Sequence, residues 1–137
     1  MDQLQKNKDI VRRFNKEFIE GGDLTVLEEL VHPDFINRTA ATGARNDREA
    51  TGKYITDILR KTFPDLTVEI YTQVAEGDLV TTHKAFHATH IQEFMGIPAT
   101  GKKIIIPVMD IVRLKDGKYI EHWGIRNMTD VLEQLKS

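Results

Sequence analysis

Acid/base chemistry needs one group that takes a proton and donors that hold the charge left behind. A single stretch of this 137-residue chain is rich in both, Lys102 to Asn127, KKIIIPVMDIVRLKDGKYIEHWGIRN. It holds Asp110, Arg113, Glu121, His122 and the only tryptophan, Trp123. Asp110 opposite His122 would form a dyad, either an acid/base pair or a structural one. Glu121 near Arg113 is either an ion pair, which lowers the basicity of the carboxylate, or a group that moves a proton. Trp123 is core or pocket wall, and a buried indole N–H needs a partner. His83 and His87 would converge on a metal from a helix, but on a strand they stand roughly 13 Å apart, so no metal site is expected. The loop FMGIPATG (Phe94–Gly101) lacks phosphate-loop spacing, and no Ser-His-Asp set is legible.

Which groups meet depends on the turn at Asp116-Gly117, a dipeptide typical of β-hairpins. A two-residue loop sets Arg113 opposite Ile120 and Asp110 opposite Trp123. A three-residue loop, with Gly117 as a left-handed bulge, sets Asp110 opposite His122 and Arg113 opposite Tyr119. The second pairs opposite charges and is the expected one. It places Ile105, Met109, Arg113, Glu121, Trp123 and Asn127 on one face, expected to look inward onto a pocket. The other face, with Ile104, Ile106, Val108 and Val112, would be an apolar surface best covered by a second copy of the chain.

The elements that must position this hairpin come earlier. Ile10, Phe14 and Phe18 recur at four-residue spacing, which predicts an amphipathic helix over about 4–20. Gly21-Gly22 stops it, and Asp23 can cap a second helix that ends at His32-Pro33. A short extended piece over 34–38 and a small-residue loop lead to a third helix, with Asn46 and Glu49 as its capping box and Tyr54, Ile58 and Leu59 on its apolar side. From Leu66 the period changes to two, giving a strand to Val74, a second over 79–92, then the hairpin and a closing helix over 129–136. Three helices followed by four antiparallel strands imply one α+β domain over residues 1–137, a cone of helices on a strongly curved antiparallel sheet.

Composition narrows the function classes. A net charge of −2 gives no electrostatic reason to expect nucleic acid or an anionic membrane as partner. No cysteine is present, so disulfides and thiolate metal sites are excluded and a reducing interior is compatible. The first residues are too polar for a signal peptide and no apolar run approaches ~18 residues, so a cytoplasmic protein is expected.

Assembled in order, these features resemble the SnoaL-like polyketide cyclase family, on the nuclear transport factor two-like (cystatin-like) cone. The likeness rests on GGDLTVLEELVHPDFIN (Gly21–Asn37), FPDLTVEI (Phe63–Ile70), EGDLVTTH (Glu76–His83), THIQEFMGIPATGKKI (Thr89–Ile104) and DGKYIEHW (Asp116–Trp123). It implies a pocket between helices and sheet, and intramolecular aldol closure of a polyketide without metal or cofactor. The family's acid/base group is usually an Asp four residues past the tryptophan; here that position is Asn127, which can hydrogen-bond an enolate but cannot take a proton. Arg38 stands where relatives commonly carry histidine. The resemblance therefore implies Asn127, His90 and Glu121 as catalytic residues, with His90 or Glu121 moving the proton. Trp123, Arg113, Met109, Asn37, Phe35 and Phe94 are expected to bind substrate, a small hydrophobic carbonyl-containing molecule. The alternative is a non-catalytic small-molecule-binding homodimer on the same fold, which the Asp-to-Asn difference favours.

Overall fold

The computed structural model describes residues 2–137. Helix α1 (Gln3–Arg13) is capped by Asp2, whose carboxylate accepts from Gln5 N–H at 2.8 Å, and runs without a break into a π-helical stretch, Phe14–Glu20. The Phe14/Phe18 stripe is buried as its spacing predicts, and the widened turn also directs Asn15 into the core. Asp23 caps α2 (Leu24–Leu30). Strand β1 (Val31–Asn37) begins at the next residue, so the extended piece is longer than expected and takes in His32-Pro33. Asp47, one residue past the predicted cap, accepts from Ala50 N–H at 2.9 Å and starts α3 (Arg48–Lys53). That helix continues as a π-helical stretch, Tyr54–Leu59, and a last turn, α4 (Arg60–Thr62). Its buried side chains are Ile55 and Leu59, whereas Tyr54 and Ile58 stay exposed.

The sheet follows as β2 (Thr67–Glu76), β3 (Leu79–Thr89), β4 (Lys103–Lys115) and β5 (Lys118–Arg126), and α5 (Met128–Lys136) closes the chain. Strand order is β1-β5-β4-β3-β2. The last four strands are antiparallel, but β1 joins β5 in parallel, so the sheet is mixed rather than wholly antiparallel. Bulges in β2 and in the β4–β5 pair add bend, and the helices pack on the concave side. No helix among the described residues is long and apolar enough to cross a membrane.

The hairpin differs from both expected registers. Asp116 (φ 54°) and Gly117 (φ 74°) are both left-handed, the two-residue turn that matches strand twist. Leu114 pairs with Tyr119, then a bulge leaves Ile120 unpaired and shifts the rest. Arg113 faces Glu121, Ile111 faces Trp123, Val112 faces His122 and Asp110 faces Gly124.

The two faces of β4 are also exchanged relative to expectation. Ile104, Ile106, Val108 and Val112 are buried beneath the helices, at 6% exposure or less. Ile105, Met109 and Ile111 lie outside with Trp123, at 44%, 52% and 38% for the three aliphatic residues. Both alternating sets of β4 are apolar, so its own sequence does not choose. The neighbour chooses: β3 offers Val80, Phe86 and Ala88 on one side and Thr81, His83 and His87 on the other, and Ile106 pairs with Phe86. Each aliphatic side chain fully buried there is worth about 1.5–3 kcal/mol.

Candidate active site

Helices and inner sheet face enclose a cavity of about 820 Å³. Its wall holds a chain of polar groups, one from each of four strands. Lys84 on β3 is 3% exposed; its Nζ lies 3.0 Å from Asp110 Oδ2 on β4. The same Nζ donates at 2.6 Å to Oδ1 of Asn15, which the π-helical turn has brought inside. His122 Nε2 on β5 lies 3.4 Å from Asp110 Oδ2, and its Nδ1 lies 3.1 Å from Asn37 Oδ1 at the end of β1. The imidazole is thus oriented from both ends.

Burial alone would push the Asp110 pKa up; the positive charge of Lys84 and the contact with His122 outweigh it, leaving the carboxyl below its ordinary range. Its Oδ1 is buried and has no hydrogen-bond partner among the described residues. Tyr119 lines the same cavity, and burial, then the Asp110 charge, raises its pKa well above the ordinary value. It stays protonated and can donate to an oxyanion.

Gly124 makes room for the ring. A methyl group there would stand 2.8 Å from His122 Cε1 and 3.2 Å from Nε2, with Asp110 Cβ at 3.7 Å. Gly124→Ala should turn the imidazole away from Asp110, lowering turnover by about 10²-fold while the circular dichroism spectrum stays unchanged. Wild-type rates in that variant would show that the ring's placement is immaterial.

Of the residues expected to form the site, Phe35 and Asn37 line the cavity. Asp110 and His122 come together, although through β4 and β5 positions offset by two rather than directly opposite. Trp123, Met109, Arg113 and Glu121 occupy the outer sheet face, away from the cavity, which corrects the expectation that they look inward. Glu121 is held by Arg38 Nε and Arg113 Nε, each at 2.8 Å, and these contacts lower its pKa. His90 is fully buried beyond β3, where its Nδ1 accepts from Thr100 N–H at 3.2 Å and ties down the following loop. Phe94 packs edge-on against Phe63 at 5.0 Å. Asn127 is exposed and caps α5, its Oδ1 accepting from Asp130 N–H at 3.0 Å. Lys84, Tyr119, Gly124 and Arg126 were not anticipated. Lys84 left a signal, a cation in the otherwise inward row Val80, Thr82, Phe86, Ala88.

The sequence profile of the SnoaL-like polyketide cyclase family matches residues 9–135. No curated protein sequence matches the chain. Among solved structures, IdmH of Streptomyces antibioticus, a candidate polyketide cyclase, is 31% identical over 96% of this chain and 99% of its own, with a TM-score of 0.85. AclR of Streptomyces galilaeus, a candidate hydroxylase, is 27% identical over 98% of both chains, with a TM-score of 0.82. A candidate cyclase from Acidithiobacillus ferrooxidans is 26% identical over 99% and 98%, with a TM-score of 0.83. The cone of helices on a curved mixed sheet is the fold these proteins share, and the chain belongs to the SnoaL-like polyketide cyclase family.

Proposed function

We propose that the protein is a cyclase that closes a ring within a hydrophobic, carbonyl-bearing molecule by acid/base chemistry, without a cofactor. His122, with its Nδ1–H donated to Asn37 Oδ1, takes a proton at Nε2 from the carbon next to a carbonyl; the Asp110 carboxylate stabilises the resulting imidazolium, and Tyr119 O–H donates to the enolate oxygen. The enolate carbon attacks a second carbonyl carbon of the same molecule, forming the carbon–carbon bond. The alkoxide so produced takes a proton back, and atoms and electrons balance without an oxidant or reductant. One observation supports this above the others: a buried carboxylate kept ionised in a cavity wall, in contact with an imidazole. That differs from the role expected of Asn127, whose side chain is engaged at a helix end. Sharing a fold with a candidate hydroxylase leaves the reaction to be decided by the site.

The test is incubation of the pure protein with a panel of polyketide-like keto esters and the corresponding free acids, following formation of an isomeric cyclic product by NMR. Turnover supports the cyclase. Tight binding of apolar probes with no turnover of any ester or free acid would favour the binding-only protein instead.

We also infer a cytoplasmic homodimer that takes neither nucleic acid nor membrane as partner, paired through the outer sheet face. Ile105, Met109, Ile111 and Ile125 are exposed there beside Trp123, with Ile125 at 74%. Sedimentation of the wild type should give twice the 15.7 kDa chain mass, and Met109→Lys should give the monomer. A monomeric wild type would refute the pairing.

A further inference from the structure

The cavity wall contains a guanidinium that no carboxylate neutralises. Arg13, Arg38, Arg45, Arg48 and Arg113 each meet an Asp or Glu within 4.0 Å; among the described residues Arg12 and Arg60 do not, but neither lines the cavity. Arg126, at the end of β5, lines the cavity and meets none among the described residues. Its one hydrogen bond is donated by Nη1 to Tyr54 Oη at 2.8 Å. Its guanidinium carbon lies 5.5 Å from the centre of the Tyr54 ring and 5.4 Å from that of Phe86. Two aromatic rings and one hydroxyl therefore fix the plane of a group that still has four N–H donors to give. A fixed, weakly hydrated planar fork beside an apolar space is the arrangement that receives a carboxylate bidentately.

Spacing adds the ligand's shape. Arg126 and His122 stand four apart on one strand and face the same side, about 13 Å between their backbones. Gly124 lies between them and raises no side chain from the floor.

We propose that the molecule taken by this cavity carries a carboxylate, held by Arg126, with its apolar, carbonyl-bearing body extending from there towards His122. This rests on the reading of the cavity as the substrate site and narrows the substrate class to acids rather than neutral esters.

Binding of 2-naphthoic acid and of its methyl ester, measured by isothermal titration calorimetry at pH 7, tests it. The wild type should bind the acid about 10–100-fold more tightly than the ester. Arg126→Gln should abolish that preference while binding the ester as the wild type does, which also shows that it is folded; Arg126→Lys should keep part of it. Equal affinities in the wild type, or a Gln variant that weakens both probes alike, would overturn the inference. In that event turnover of neutral β-keto esters would still leave the cyclase standing. Binding of neither probe would overturn the inference and the substrate cavity together.

Discussion

Changing His122 to glutamine should lower kcat by about 10²–10⁴-fold, the usual worth of a positioned acid/base group, and leave the protein folded. The ring is placed by Asn37 Oδ1 at 3.1 Å and Asp110 Oδ2 at 3.4 Å, and its side chain is 26% exposed. Within the Lys84–Asp110–His122 chain it is the member that reaches furthest into open space. Glutamine keeps a polar group at the site, so folding should not depend on the imidazole, whereas the proposed proton transfer should. Asp110→Asn should lose activity to a similar extent but also lose stability, because it leaves the Lys84 cation buried without its counter-charge. Comparing the two variants separates chemistry from folding. Rates within about threefold of wild type for His122→Gln would remove the pair from the mechanism.

The largest effect on stability belongs to Lys84. Lys84 and Asp110 are 3% and 6% exposed and 3.0 Å apart. Lys84→Met should destabilise the fold by about 3–5 kcal/mol, since an ionised carboxylate is left in an apolar interior. For a domain of this size that is a drop in Tm of about 10–20 °C. The double variant Lys84→Met with Asp110→Leu should recover most of the loss, because neither charge then needs a partner, yet it should remain inactive. A double variant no more stable than the single one would mean that the pair does not act as a unit. Acid gives a second readout. The Asp110 pKa is depressed in the folded state, so its contribution is present above the unfolded value, near 3.9, and disappears as pH falls through the lower folded value. Between about pH 5 and pH 2 the wild type should therefore lose more Tm than the double variant.

Much of the fold is readable from period and punctuation. The Ile10/Phe14/Phe18 stripe, the Gly21-Gly22 stop, the Asp23 cap and the change to alternation at Leu66 each act through local rules, and each corresponds to an element boundary within a few residues. What was not readable is non-local. β4 is apolar on both alternating sets, so its inward face is fixed only by pairing with β3. One bulged residue, Ile120, moves the register of the hairpin. The parallel addition of β1 to β5 joins residues some 85 positions apart, as in the His122–Asn37 contact. The site inherited these uncertainties. Asp110 and His122 were visible as a pair, but Lys84 and Tyr119 became neighbours of that pair, and Arg126 joined the same cavity wall, only once the sheet had a concave side.

The lone indole has a practical meaning. Trp123 is across the sheet from the hollow, beside Ile111 and among the exposed aliphatic residues. If the chain pairs through the outer face as proposed, ultraviolet emission becomes a gauge of that pairing: its wavelength should move on dilution, and hardly at all when a guest occupies the interior. Experimenters who titrate ligands against that signal would see silence where there is binding.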